Sequence, residues 1–124
     1  MNAETPLMRE IWSALSMLGL RMFRNTVGAC ATAAGGWIQY GLSIGSSDLI
    51  GWRSVVVTPE MVGKRVAIFA AVEVKRPGKP LTNEQNVFLR NVREAGGIAI
   101  IARDPEIIET AIEDAMQNLG ERHD

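Results

Sequence analysis

Val66-Ala67-Ile68-Phe69-Ala70-Ala71-Val72-Glu73-Val74-Lys75 is an apolar, β-rich run with two charges set near its end. The run reads as the central strand of a sheet, over residues 65–75, covered on both faces. Side chains alternate along a strand, so Glu73 and Lys75 share the face of Ala71. A charged pair inside such a strand is costly unless a metal, a substrate or a partner charge compensates it. Upstream, Ser47-Asp48-Leu49-Ile50-Gly51 sets a second carboxylate at the head of another apolar strand. Asp with Glu makes a hard oxygen donor set suited to Mg²⁺ or Mn²⁺. A lysine beside such a metal can orient or deprotonate a water. The constellation reads as a divalent-metal phosphodiesterase site. Two bland readings stand beside it: Asp48 after Gly45-Ser46-Ser47 suits a turn or cap, and Glu73 with Lys75 suits an exposed pair on an edge strand.

The elements around this strand follow from spacing and punctuation. Residues 5–19 read as a helix: Leu7, Ile11, Ala14/Leu15 and Leu18 recur at helical spacing, Pro6 suits the first turn and Gly19 the end. Trp12 lies off that stripe, which points it to an interface as readily as to DNA bases. A short strand is expected over 20–24, a hairpin around Gly35-Gly36 within 28–41, and strand, turn and strand over 48–57. Arg76-Pro77-Gly78-Lys79-Pro80 ends the central strand. Thr82-Asn83-Glu84-Gln85 is a capping box opening a helix over 83–95, with Phe88, Leu89 and Val92 inward. Gly96-Gly97 stops that helix and residues 98–102 form a buried strand. Asp104-Pro105 caps a last helix with Ile107, Ile108, Ala111, Ile112, Ala115 and Met116 on its apolar face. The order α, β strands, αβα predicts an α/β fold: one domain over 1–124, a sandwich around a central mixed β-sheet.

Composition narrows the chemistry. At 124 residues and 47% apolar content, the chain is long enough for a real core and too apolar for disorder. No apolar run approaches the ~20 residues of a membrane span. The first residues lack the basic-then-apolar pattern of a secretory signal, so a cytoplasmic location is expected, in a bacterial host cell if the gene is a phage's. The single Cys30 excludes an internal disulfide and a cysteine zinc cluster, and the single His123 at the tail excludes histidine triads. Net charge is −1, but it is split: residues 1–103 carry 12 Lys+Arg against 7 Asp+Glu, and the remainder one Arg against seven acids. Three of the first seven acids (Glu4, Asp48, Glu73) are candidate metal-site groups, so the rest of that surface is basic, consistent with phosphate contacts. An ordinary mixed surface with one acidic helix would give the same totals.

Longer stretches sharpen the reading. Asp48 with Glu73-Val74-Lys75 resembles the core of the PD-(D/E)xK nuclease superfamily. The stretches Arg24-Asn25-Thr26-x-Gly28, Gly41 to Gly51, Glu73 to Lys79, Leu81-Thr82-x-Glu84-Gln85 and Ala95-Gly96-Gly97-Ile98-Ala99 together resemble the virus-type replication-repair nuclease domain (VRR-NUC) from about Glu4 to Ala102. The resemblance implies a restriction-endonuclease-like α/β/α sandwich and a Mg²⁺- or Mn²⁺-dependent endodeoxyribonuclease. It implies Asp48, Glu73 and the Val74 carbonyl as metal ligands, Lys75 as the water-orienting or base-like residue, and Gln85 as an active-site glutamine. It also implies a glutamate at the head of the first helix, for which Glu4 fits best and Glu10 competes. Met8 stands where a glutamine is common in the family. Arg24 and Asn25 are implied as DNA contacts; Arg76 and Lys79, on the loop after the active strand, are further phosphate-contact candidates.

Stand-alone members of this family are mostly phage proteins. Small nucleases of this fold that resemble Holliday-junction resolvases act as two-fold dimers. A homodimer on branched or junction DNA is therefore the leading expectation, with Trp12, Met8, Leu15 and the Trp37 region as its exposed apolar residues. The alternatives are a non-catalytic DNA-binding or assembly module of the same fold, and a less structure-selective restriction- or flap-type nuclease.

Overall fold

A helix, a run of strands, then helix, strand and helix follow one another along the chain, the order that the spacing predicts. The computed structural model describes residues 4–120, with side chains from Pro6 onward. Its elements are α1 (Glu4–Met17), β1 (Arg21–Arg24), β2 (Gly28–Ala31), β3 (Trp37–Tyr40), β4 (Leu49–Trp52), β5 (Ala70–Val74), α2 (Asn83–Glu94), β6 (Ile98–Ala102) and α3 (Ile108–Gln117). The fold class is α/β, as expected. Antiparallel and parallel pairing both occur, but in three two-stranded ladders rather than one sheet: β1 with β4 and β2 with β3 antiparallel, β5 with β6 parallel. The chain divides into two compact units, Met1–Arg53 and Ser54–Asp124.

In the first unit α1 packs on β1. The helix is rotated by about one residue, ~100°, from the orientation that its leucine spacing suggests. Met8, Trp12 and Leu15 are its half-buried residues, whereas Leu7, Ile11 and Leu18 are 55%, 45% and 64% exposed. The reason is the indole. Trp12 carries the largest apolar surface on the helix, and its Nε1 donates to the Met22 carbonyl of β1 at 3.2 Å. Turning Trp12 inward buries the ring and satisfies its donor together. Trp12, Met8 and Leu15 are thus packing residues, which corrects their assignment to an exposed interface. The β2–β3 hairpin closes where expected: the Thr32 N–H donates to the Gly36 carbonyl at 2.8 Å, and the Thr32 hydroxyl accepts from the Gly36 N–H at 2.9 Å. On β1 and β4, Phe23 and Trp52 are diagonal neighbours with ring centroids 5.4 Å apart. Only β4 forms within 48–57; the second strand expected there is absent among the described residues.

In the second unit β6 is buried on one face and half-buried on the other, with α2 and α3 each packed against it. Leu89, Val92, Ile98, Ile100 and Ala102 are the buried apolar residues of the described chain. The capping box at the head of α2 forms in both directions: the Gln85 N–H donates to Thr82 Oγ1 at 3.1 Å and the Thr82 N–H to Gln85 Oε1 at 2.9 Å. Leu89 and Val92 go under as expected, while Phe88 stays 37% exposed. Asp104 caps the turn that leads into α3 by accepting from the Glu106 N–H at 3.0 Å.

The central strand is shorter than the apolar run. β5 covers Ala70–Val74, not 65–75, because a strand is as long as its partner and β6 offers five residues in register from Ile98 to Ala102. It is also covered on one face only. Ala71, Glu73 and Lys75 are half-buried, while Val72 and Val74 are 47% and 77% exposed.

Candidate active site

β5 presents Glu73 and Lys75 on its half-buried face, as the alternation predicts. Lys75 Nζ lies 3.9 Å from Glu73 Oε1, with side chains 16% and 31% exposed respectively. At that distance and exposure the pair contributes little to stability, so packing energy alone gives no reason for it. Glu73 has a closer partner. Gln85 Nε2 donates to the same Oε1 at 2.8 Å, while the Oε1 of that amide accepts the Thr82 N–H that closes the capping box. One Gln85 side chain thus closes the helix cap and also bonds Glu73. The cap fixes which way the amide points, and the amide then fixes the carboxylate. Phe69, Ala71, Glu73, Gln85 and Phe88 line part of a cavity of about 460 Å³ beside this group, room enough for several waters.

The backbone around Glu73 suits a hard cation. The bonds bracketing the β5–β6 ladder run from the Ile98 N–H to the Phe69 carbonyl (2.9 Å) and from the Lys75 N–H to the Ala102 carbonyl (3.0 Å). In a parallel pair successive residues direct their polar groups to opposite edges. The odd-numbered groups of β5 therefore meet β6, and the Val74 carbonyl faces the other edge. A half-exposed carboxylate next to an outward carbonyl is an oxygen-only donor set. Among the described residues no three Asp, Glu, His or Cys side chains gather into a denser cluster. Glu73 and the Val74 carbonyl could supply two oxygens to a divalent cation, whose shell waters and substrate phosphate would complete.

Asp48 lies in the first unit, where the structure joins it to Asn25. The Asn25 N–H donates to the Asp48 carbonyl at 2.8 Å, continuing the β1–β4 ladder by one bond. The Asn25 side-chain amide is used up inside the loop: Nδ2 donates to Ser46 Oγ (2.7 Å) and to the Ser47 carbonyl (2.9 Å), and Oδ1 accepts the Leu42 N–H (3.0 Å). Ser46 Oγ in turn donates to the Ser43 carbonyl at 2.7 Å. Asn25 thus holds the 41–48 loop that delivers Asp48 and spends its polar atoms there rather than on an outside contact. Asp48 itself is exposed, as is Arg24 beside it at the end of β1. The roles of Ser46 and Ser47 were missed by sequence reasoning, although a Ser-Ser-Asp run after glycine is a signal for side-chain-bonded turns. The glutamate side chain at position 4 lies outside the described residues, as does His123; Glu10 is exposed on α1.

Arg76 and Lys79 flank a tight turn after β5, and both are exposed. Arg103, which the sequence did not single out, lies under this turn: its Nη1 donates to the Arg76 carbonyl at 2.9 Å and to the Lys79 carbonyl at 2.6 Å.

Gln85 can be separated into its two jobs. Gln85→Ala should lose both bonds, with cleavage falling about 10- to 100-fold and stability by about 1 kcal/mol. Gln85→Glu keeps the cap acceptor but sets a second carboxylate against Glu73. It should melt close to wild type while its activity falls as far as that of Gln85→Ala. Melting curves beside single-turnover cleavage rates check this; wild-type activity in Gln85→Glu would remove the amide from the site.

Comparison with known proteins gives one family: the model of the VRR-NUC domain matches residues 6–104. No curated protein and no solved structure matches the chain.

Proposed function

The chain belongs to the VRR-NUC domain family and is a nuclease-type DNA-processing domain; from that premise we propose that it is a Mg²⁺- or Mn²⁺-dependent endodeoxyribonuclease acting on branched DNA. The observation that carries the catalytic reading is the Glu73 carboxylate, held by Gln85 at 2.8 Å with Lys75 Nζ at 3.9 Å on the same strand face. Glu73, the Val74 carbonyl and Asp48 would hold the cation, Asp48 being assigned by the order of the motifs. Glu4 is proposed as a further ligand on the same ground. The cation, when bound, would acidify an attacking water and screen the charge of the scissile phosphate. Lys75 would orient or deprotonate that water, and Gln85 would keep one oxygen of Glu73 from swinging away. Arg24, Arg76 and Lys79 would neutralise flanking phosphates, and Asn25 would serve by holding the Asp48 loop.

The branched substrate and the homodimer go together, since two symmetric cuts need two sites. The exposed apolar residues that favour a self-complementary contact are Leu7 and Ile11 on α1, Leu18 just after it, and Trp37, 75% exposed, on β3. Among the described residues no helix is long and apolar enough to cross a membrane. A cytoplasmic location is proposed on the sequence alone.

The test is cleavage of labelled four-way junctions, flaps and linear duplexes in Mg²⁺ or Mn²⁺, with light scattering on the same samples. Junctions should be cut fastest by a dimer, and Ile11→Glu with Trp37→Glu should give monomers. Equal rates on all substrates would favour the less selective nuclease. Tight DNA binding with no cutting in either metal would favour the non-catalytic module.

A further inference from the structure

Arg76-Pro77-Gly78-Lys79-Pro80 is built to hold still. The Lys79 N–H donates to the Arg76 carbonyl at 3.1 Å, and Gly78 has φ +81°. Proline second and a positive-φ glycine third make this a type II turn. Each cation is followed by a proline, which restricts the residue before it to extended backbone. Below the turn, one guanidinium nitrogen of Arg103 donates to both end carbonyls, Arg76 at 2.9 Å and Lys79 at 2.6 Å. Arg103 is itself anchored, because it follows Ala102, whose carbonyl takes the Lys75 N–H at 3.0 Å. The brace therefore ties the turn to the ladder that carries Glu73 and Lys75.

Packing does not explain this arrangement. Residues 76–80 are all exposed, so the brace seals no apolar core. Charge speaks for another purpose. Between Glu73 and Glu84 the chain carries Lys75, Arg76 and Lys79 and no acid, and Arg103 adds a fourth cation. Arg76 and Lys79 stand at the two ends of one four-residue turn, so their charges repel one another and bound phosphates relieve that repulsion. Bonding by Arg103 also occupies the two carbonyl oxygens that would otherwise present negative dipole ends to an anion.

We infer that Arg103 is a positioning residue that holds Arg76 and Lys79 as a preformed clamp, each cation on one of two neighbouring DNA backbone phosphates, beside the Glu73–Lys75 pair. The inference rests on the DNA-processing reading and deepens it. A preorganised clamp loses less freedom on binding than a mobile loop, so the brace acts on affinity.

Two measurements test it. The first needs no DNA: hydrogen exchange of the Lys79 amide should speed up in Arg103→Ala and stay slow in Arg103→Lys, whose ammonium can still bridge both carbonyls. The second is anisotropy of a fluorescein-labelled four-way junction in Ca²⁺ over a range of salt. Arg103→Ala should weaken binding about tenfold and take about two phosphate contacts from the salt slope, where a lone lost contact takes about one. Arg76→Ala/Lys79→Ala should do the same, and the triple variant should bind no more weakly than the double, because the brace acts through those two side chains. Arg103→Lys should recover most of the loss, which in cleavage assays should lie in KM rather than kcat. Unchanged amide exchange in Arg103→Ala overturns the brace. A slope loss of about one, or additive losses in the triple variant, overturns the positioning role in favour of direct contact. A wild-type protein that fails to bind the junction and linear duplex alike overturns the DNA reading, and with it the clamp, even if the exchange result holds.

Discussion

Glu73→Ala is expected to lower DNA cleavage by about a thousandfold or more with the fold intact. The size follows from the proposed role: an anionic ligand and the cation it would hold supply several kcal/mol of transition-state charge stabilisation, and each ~1.4 kcal/mol is tenfold in rate. The intact fold follows from the position. Glu73 is half-exposed, its ion pair is long, and Gln85 keeps its cap bond when the carboxylate is removed. Asp48→Ala should behave alike, since that side chain is exposed and its backbone bond to Asn25 needs no carboxylate. Lys75→Ala should lose activity with less effect on metal affinity. Single-turnover cleavage in Mg²⁺ and Mn²⁺, beside circular dichroism and metal titration, separates these outcomes. Near wild-type cutting by either carboxylate variant would refute the site.

Gly51→Ala should damage the protein without touching any ligand. Gly51 sits in β4 opposite Met22 of β1. A Cβ built there would run into the Arg21 carbonyl oxygen and come within 2.7 Å of Met22 Cα. Both are backbone atoms of the paired strand, so no side chain can move aside and the strands must part. The β1–β4 ladder is only four residues long, leaving little to absorb the shift. Overpacking of this kind costs about 3 kcal/mol, which corresponds to a melting point lower by roughly 10 °C. Activity should fall as well, because the ladder carries Asn25 and Asp48 at its end. A Gly51→Ala protein that melts like wild type would mean that β1 and β4 lie farther apart than described.

How much of this was legible in the sequence depends on the range of the cause. Thr82 and Gln85 are three residues apart, so the capping box and the start of α2 could be read directly. The alternation that puts Glu73 and Lys75 on one face is likewise local, and so is the β6 apolar run between Gly97 and Arg103. The rotation of α1 was not legible: which face turns inward depends on the Met22 carbonyl waiting for the Trp12 indole, and leucine spacing carries no record of that. The length of β5 failed for the same reason, since residues 65–69 are as β-rich as those that pair but have no partner strand in register. Gly51 and Arg103 were invisible because each meets atoms about thirty positions away. Asn25 was read as facing DNA, yet its amide binds a loop some twenty residues downstream. The family motifs located Asn25 and Gly51 but not Arg103; the long-range contacts say what all three do.

Joining a helix cap to the carboxylate proposed to hold the cation, through one amide, has a consequence for endurance. Helix ends fray before helices melt, and Gln85 stands in the first turn of α2. Each excursion that opens the cap frees the amide, and with it the restraint on Glu73. Warming should therefore disable the enzyme while its secondary structure still looks native, so that the temperature of inactivation falls below that of unfolding. On the proposed function, reinforcing the first turn of α2 would raise the temperature limit of cleavage more than filling out the core.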